Sequence, residues 1–247
     1  MKSRLTVIIP TLNNVRGLRY LLRYFKDKPY KVVVIDNSKK NLGFAGGVNK
    51  GAKDADTKWL LILNDDIEFE SQKSKVKSQK IEKLIKLAEK NKLDAVSPVL
   101  RKLDGKVENY GYKILPFGKI NLIKELRITD YELDGLTAAC LLIKTAVFKK
   151  LGGFDEKFFA YLEDVDFFVR FKKAGYKMGL ANNIEVLHNH MTTTKTMGNF
   201  KARQDMVNWW RLFFKHREKF KFNLKFIVER LRNISGYIKT VLEFTYE

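Results

Sequence analysis

Short unbroken apolar runs alternate, over the first hundred residues, with stretches whose apolar positions recur every three or four residues. Leu5 to Ile9 and Lys31 to Ile35 are β-branched runs of strand length. Between them Val15, Leu18, Leu21, Leu22 and Phe25 fall at helical spacing behind the candidate caps Asn13 and Asn14. A glycine-rich segment and a short helix over Gly47 to Ala55 lead to a third run, Trp59 to Leu63, whose continuous apolar character suits a strand covered on both faces. Ile81, Leu84, Ile85 and Ala88 predict the next amphipathic helix, and Asp94 to Val99 a fourth strand with Pro98 at its end. This alternation predicts an open, mostly parallel, Rossmann-like α/β sheet with helices on its faces.

Beyond residue 100 the pattern changes. Arg101 to Asp134 is mixed and punctuated by Gly105, Gly111, Pro116 and Gly118, which reads as hairpins or a loop on the acceptor side. A strand over Leu136 to Ile143, a helix over Thr145 to Leu151 and the segment Gly152-Gly153-Phe154-Asp155 follow. The next helix, Asp164 to Ala174, carries carboxylates at its positive end and Gly175 as its stop. A last strand near Ile184 to Leu187 precedes His188. After Phe200 the chain is rich in aromatics and bases, among them Trp209, Trp210, Phe213 and Phe226. These predict amphipathic helices that either dock on the domain or lie on a membrane surface. The expected division is an α/β domain over 1–198 and a basic, aromatic helical extension over 199–247.

The hydrophobic share of 45% and aromatic share of 13% in 247 residues exclude a disordered chain. A formal charge of +20 predicts attraction to anionic partners and does not choose among nucleic acid, acidic lipid and phosphorylated small molecules. Part of it is local, because Lys73 to Lys92 holds eight lysines against Glu82 and Glu89. Cys140 is the only cysteine, which excludes an intrachain disulfide, and its apolar neighbours predict a buried thiol. No apolar run approaches the roughly 18 residues of a membrane span, and the amino terminus has no signal-length apolar core, so a cytoplasmic location is expected.

Candidate chemistry lies at the ends of the runs. Leu63-Asn64-Asp65-Asp66 places two carboxylates and an amide at the carboxyl end of a buried strand, where open α/β sheets bind ligands and where hard cations would find oxygen. Taken alone it is also ordinary turn chemistry. Asp36-Asn37-Ser38 follows the second strand in the same way, fit either for a ribose or base or for capping a loop. The run Asn41 to Gly51 supplies four glycines before a helix, which would let backbone N–H groups approach an anion. Glu163, Asp164 and Asp166 cluster at a helix start beside Phe158, Phe159 and Tyr161, where they either complement the helix dipole or accept a proton from an alcohol. His188 and His190 follow a strand, and an imidazole is a good ligand beside carboxylates.

The order of these pieces is more specific than any one of them. Val7-Ile8-Ile9-Pro10-Thr11, Val34-Ile35-Asp36-Asn37-Ser38, Asn41 to Gly51, Leu63-Asn64-Asp65-Asp66, Gly152-Gly153-Phe154-Asp155 and Glu163-Asp164-Val165-Asp166 form one series. Over about Leu5 to His190 the series resembles family-two glycosyltransferases of GT-A fold, particularly the rhamnosyltransferase-like branch. The resemblance implies that Thr11 and Asp36 hold the base and ribose of a nucleotide-sugar. Asn13, Asn37, Gly43, Gly46, Asn49, Asn64 and Asp65 complete the donor side. It implies that Asp66 and His188 hold Mg²⁺ or Mn²⁺, and that Asp164, with Glu163 beside it, is the catalytic base. The first acid of the family's metal motif is Asn64 here, which leaves fewer charged ligands. The implied reaction is an inverting, hexosyltransferase-type transfer to a hydroxyl of a glycan or lipid-linked acceptor, in cell-surface polysaccharide or glycoconjugate synthesis, without nucleic acid. Apart from the resemblance, the aromatic and basic C-terminal extension is expected either to pack on the domain or to rest on an anionic membrane at its inner face. A nucleotidyltransferase shares the sheet and the acids but attacks phosphorus. A glycosidase has no use for a strand-end donor site. A basic polyanion binder has no need of the ordered acidic series.

Overall fold

The structure, a computed structural model, describes residues 3–70, 79–125, 133–189 and 200–245. His190, part of the lysine-rich run and the expected boundary at 198/199 lie outside the described residues. The first half follows the apolar pattern closely: β1 is Leu5–Thr11, α1 Val15–Phe25, β2 Lys31–Asp36, α2 Gly43–Ala52, β3 Trp59–Leu63, β4 Ile67–Glu68, α3 Lys80–Lys90 and β5 Ala95–Arg101. Then come β6 (Val107–Asn109), a hairpin of β7 (Tyr112–Ile114) and β8 (Ile120–Leu122), β9 (Cys140–Lys144), α4 (Thr145–Lys150), α5 (Glu163–Lys173) and β10 (Met178–His188). Two helices close the chain, α6 (Phe200–Lys215) and α7 (Leu224–Thr245).

The main sheet runs β2-β1-β3-β9-β5-β10-β4, with β6 paired to β5. β1, β2, β3, β5 and β10 point one way, while β9, β4 and β6 run against them. Every residue of β1 and of β3 is buried, as unbroken apolar runs require of strands covered on both faces. Strand alternation then divides the core. Ile8, Leu60, Ile62 and Leu141 pack with Val48 of α2 and with Phe167, Phe168 and Phe171 of α5. Val7, Ile9, Leu61 and Leu63 face Leu21 and Phe25 of α1 and Leu84 and Ile85 of α3. Cys140 is buried, and burial pushes its thiol well up, which makes it inert packing.

Four expectations change. The glycine-rich helix starts at Gly43 and ends at Ala52 instead of covering Gly47 to Ala55. Pro98 does not end β5, because it lies opposite Ala181 where β10 shifts register, and a bulge tolerates a residue with no N–H. The strand read over Leu136 to Ile143 begins only at Cys140 and runs antiparallel. Leu136 and Ala138 are buried without being strand, since Tyr112 bridges to Gly135 beside them. Finally, β10 spans eleven residues rather than four.

The two C-terminal helices differ in how much of their surface they bury against the domain. α6 is part of the body: Leu212 joins the core, and Trp209 and Asn208 are buried. Trp209 Nε1 and Arg230 Nη2 both donate to the carbonyl of Gly118 at the tip of the β7–β8 hairpin, at 2.7 and 2.9 Å. The Arg230 guanidinium lies 3.2 Å from the centre of the Trp209 ring. α7 contributes Phe226 and Arg230 to this contact and leaves most of its apolar side chains exposed.

Asp166, grouped by sequence with Glu163 and Asp164, serves this docking. It is fully buried and accepts from His216 Nε2 at 2.8 Å, Lys215 Nζ at 2.8 Å and Arg170 at 2.8 Å. Burial pushes its carboxyl up, but His216, Arg170 and Lys215 outweigh it and hold it at about 2. Asp166→Asn is expected to lower unfolding free energy by about 3 kcal/mol, as removal of one partner from a buried pair does, in denaturant melts. The difference is present above the pKa of an unfolded aspartate, about 4, and fades as pH falls toward 2.

Candidate active site

Because β9 runs against its neighbours, the residues that enter it lie at the carboxyl ends of the parallel strands, the edge where such sheets bind ligands. Asn64, just past β3, donates its backbone N–H to the carbonyl of Ala139 at 2.9 Å. One residue earlier, the Ala138 N–H donates to Asp164 Oδ2 at 3.2 Å. This strip of two alanines joins the Asn64-Asp65-Asp66 turn to the first turn of α5. On the other flank the Asn189 N–H donates to the carbonyl of Asp66 at 2.9 Å, and Asn64 Nδ2 lies 3.4 Å from His188 Nε2. Asp66, His188 and Asp164, distant in sequence, thus meet at one edge.

His188 ends β10 and is buried between two carboxylates, with Nε2 3.1 Å from Asp66 Oδ1 and Nδ1 2.8 Å from Glu108 Oε2. Burial alone would lower its pKa, but Asp66 and Glu108 overcome that and raise it to about 9. Asp66 Oδ1 is itself buried without a well-aligned hydrogen bond. An under-satisfied carboxylate oxygen facing an imidazole nitrogen is a donor pair that a divalent cation fits, with Glu108 fixing the ring from behind. Among the described residues no group of three or more His, Cys, Asp or Glu forms a ready cage. A cation held here would keep most of its coordination positions for phosphate and water, the habit of Mg²⁺ and Mn²⁺ in phosphate sites.

Asp164 is half-buried and accepts the Val165 N–H at 2.8 Å as well as that of Ala138. Burial lifts its carboxyl to about 6 against the pull of those amides, and lifts Glu163 further. Glu163 Oε2 is buried with no hydrogen-bond partner. Of the pair, Glu163 therefore holds its proton the more strongly, and Asp164 is the first to ionise. The lead-in is strained: Phe159, Tyr161 and Leu162 have φ of 59°, 69° and 66°, which costs of order 1–3 kcal/mol each. Asn208 of α6 holds this segment by donating to the carbonyls of Phe158, Ala160 and Tyr161 at 2.7–2.8 Å. The Tyr112 hydroxyl adds a bond to the Asp164 carbonyl at 3.2 Å.

The donor-side residues separate into two groups. Asp36 is exposed at the end of β2, where hydrogen bonds from the Ser38 side chain and then from the Ser38 N–H hold its carboxyl below the usual range. Thr11 and Asp65 face each other, Thr11 Oγ1 donating at 2.6 Å, and Asn14 Nδ2 adds a bond to Asp65 at 3.0 Å. Asn14 is the cap of α1, accepting the Gly17 N–H, while Asn13 stands exposed with φ 60°. The second group is turned inward. Asn37 is buried, donating to the Gly43 carbonyl and accepting the Leu42 N–H. Asn49 bonds both backbone groups of Phe154. The N–H groups of Gly43 and Ala45 go to Asn41 and to the Phe159 carbonyl. Gly43 has φ 69° and a Cβ there would meet the Phe159 carbonyl at 2.4 Å, while one on Gly46 would crowd Leu42 at 3.1 Å. The glycine run lets α2 pack against its own fold, and these two of its leading amides are already engaged.

Sequence reasoning missed Glu108, Ala138 and Tyr112. Glu108 sits in the mixed segment after Arg101, where no spacing distinguishes it from surface charge, and Ala138 acts through its backbone alone.

An α/β sheet with an acid–imidazole pair and a raised carboxylate at its carboxyl edge sets candidate chemistry where such sheets bind ligands. The model for glycosyl transferase family 2 matches residues 13–152, more than half of the chain, and the chain belongs to that family. An N-acetylglucosaminyl-diphospho-decaprenol L-rhamnosyltransferase of Mycobacterium tuberculosis is 31% identical over 99 residues, 36% of this chain and 32% of that protein. A low-salt glycan biosynthesis hexosyltransferase of Haloferax volcanii is 24% identical over 178 residues, 68% of this chain and 56% of that protein. The matches thus span only a third to about half of these relatives. In fold, the chain is similar to a mannosyltransferase of Pyrobaculum calidifontis solved with GDP-Man and Mn²⁺, at TM-score 0.60 and 14% identity, covering 96% of this chain and 70% of that one.

Proposed function

We propose that this protein is an inverting glycosyltransferase that moves a hexosyl-type sugar from a nucleoside-diphosphate donor to a hydroxyl of a glycan or lipid-linked acceptor. The observation that carries the reading is the alanine strip, which brings the Asp66–His188 pair and the Asp164 carboxylate to one edge. Family membership, the names of the relatives and the GT-A neighbour's bound GDP-Man and Mn²⁺ support it. The same names support a role in polysaccharide or glycoconjugate synthesis.

Asp66 and His188 would hold a divalent cation, Mg²⁺ or Mn²⁺, which would supply positive charge to offset that growing on the leaving diphosphate. Asp36, at the end of β2, faces the ribose, and Thr11 with Asp65 shapes the floor beneath the donor. Asp164 takes the proton of the acceptor hydroxyl as its oxygen bonds to the anomeric carbon and the bond to the diphosphate breaks. Its raised pKa makes it a stronger base than an ordinary aspartate, and Glu163, lifted further by burial, ionises after it.

A screen of nucleotide-sugars with Mn²⁺ tests the reading by its product. Nucleoside diphosphate is expected; pyrophosphate release would make the chain a nucleotidyltransferase instead. Glu108→Gln keeps the size of the group behind His188 and removes its charge. It is expected to weaken Mn²⁺ binding about 10–100-fold, measured by titrating the protein with the ion alone.

A further inference from the structure

α7 presents two separate faces. Phe226 and Arg230, four residues apart, are buried against the body at Trp209 and Gly118. Leu224, Ile227, Val228, Leu231, Ile234 and Ile238 recur every three or four residues along another face, and all are exposed, Leu224 at 75% and Leu231 at 60%. Side chains of this kind in a continuous stripe mark a surface that something covers. Lys225, Arg232 and Lys239, seven residues apart, form a column along one margin of the stripe, and all three are exposed. Between Lys221 and Lys239 the helix and its approach carry Lys221, Lys225, Arg230, Arg232 and Lys239 against Glu229 alone. Among the described residues no helix is long and apolar enough to cross a membrane.

From this we infer that α7 lies along the surface of an anionic lipid bilayer, its stripe sunk among the acyl chains and its cation column at the phosphates. The charge column favours lipid over a second copy of this chain, because two α7 stripes brought together would set like charges side by side at a net charge of +20. The benefit to catalysis rests on the lipid-linked acceptor proposed above, yet lipid binding is read without any sugar transfer, so the two proposals fail separately.

The test is flotation of the full chain with phosphatidylcholine vesicles, with and without phosphatidylglycerol. The wild type is expected to rise only with the anionic vesicles. The double variant Leu231→Asp, Ile238→Asp changes exposed side chains only, so thermal unfolding stays unchanged while partitioning falls about ten-fold or more. Lys225→Ser and Arg232→Ser are each expected to lower partitioning about five-fold at low salt. Equal flotation of the double variant would overturn the proposal by assigning lipid binding to the basic surface elsewhere. Dimerisation of lipid-free wild type that the double variant abolishes would overturn it in favour of a second copy.

Discussion

Asp164→Asn is expected to lower kcat for sugar transfer by about 10²–10⁴-fold, the usual contribution of a general base, while donor affinity stays near that of the wild type. The side chain keeps its shape, but its single acceptor oxygen can serve only one of the Ala138 and Val165 N–H groups. The other is left unpaired, which costs about 1–3 kcal/mol of stability and is read separately as a fall in melting temperature. A pH profile gives the second signature. Asp164 acts only when ionised and its carboxyl is raised to about 6, so wild-type kcat should climb through pH 6 and level off above it. In the Asn variant the residual rate should lack that step. A folded Asp164→Asn protein with normal turnover would take Asp164 out of the mechanism and turn attention to Glu163.

Asp66→Ala should cost about 10²–10³-fold in kcat, the scale seen when a group that stabilises transition-state charge is lost, and should abolish saturable Mn²⁺ binding in the absence of donor. His188→Ala should fall to the same range. Two side chains proposed to serve one ion should not add, so the double variant should be little worse than the poorer single one. Stripping the wild type with a chelator should reproduce the loss, and adding back Mn²⁺ should reverse it, with no such response in the variants. Metal-dependent turnover at the wild-type level in Asp66→Ala would remove the cation from the Asp66–His188 pair.

What was legible in the sequence tracks how each element is stabilised. β1 and β3 are buried on both faces, so their unbroken apolar runs announce them, and α1 and α3 each bury one clear stripe. β10 was read at less than half its length because its first part, Met178 to Asn183, mixes exposed asparagines with a register shift opposite Pro98. Ladder hydrogen bonds hold that stretch, and they leave no trace in side-chain polarity. β9 was shortened and reversed for a similar reason: Leu136 and Ala138 are apolar because they are buried, though not in a strand, and an apolar run does not state its direction. In the site, side chains carrying charge in an ordered series were visible, namely Asp66, Asp164 and His188. Glu108 was not, because its importance comes from where β6 pairs, and neither were the backbone donors of Ala138 and Ala45. For the glycine run the pattern leaves two uses open, since a need for close approach looks the same whether the visitor is a phosphate or the chain's own Phe159.

The carbonyl of Gly118 receives hydrogens from both Trp209 and Arg230, and it belongs to the hairpin that carries Tyr112 to the first turn of α5. Residues past 220 therefore act as a hasp on the catalytic half. Trimming them to obtain a smaller protein would leave an indole without the cation stacked on it and a hairpin tip with half its anchorage, loosening the support of the Asp164 backbone from more than fifty residues further along the chain.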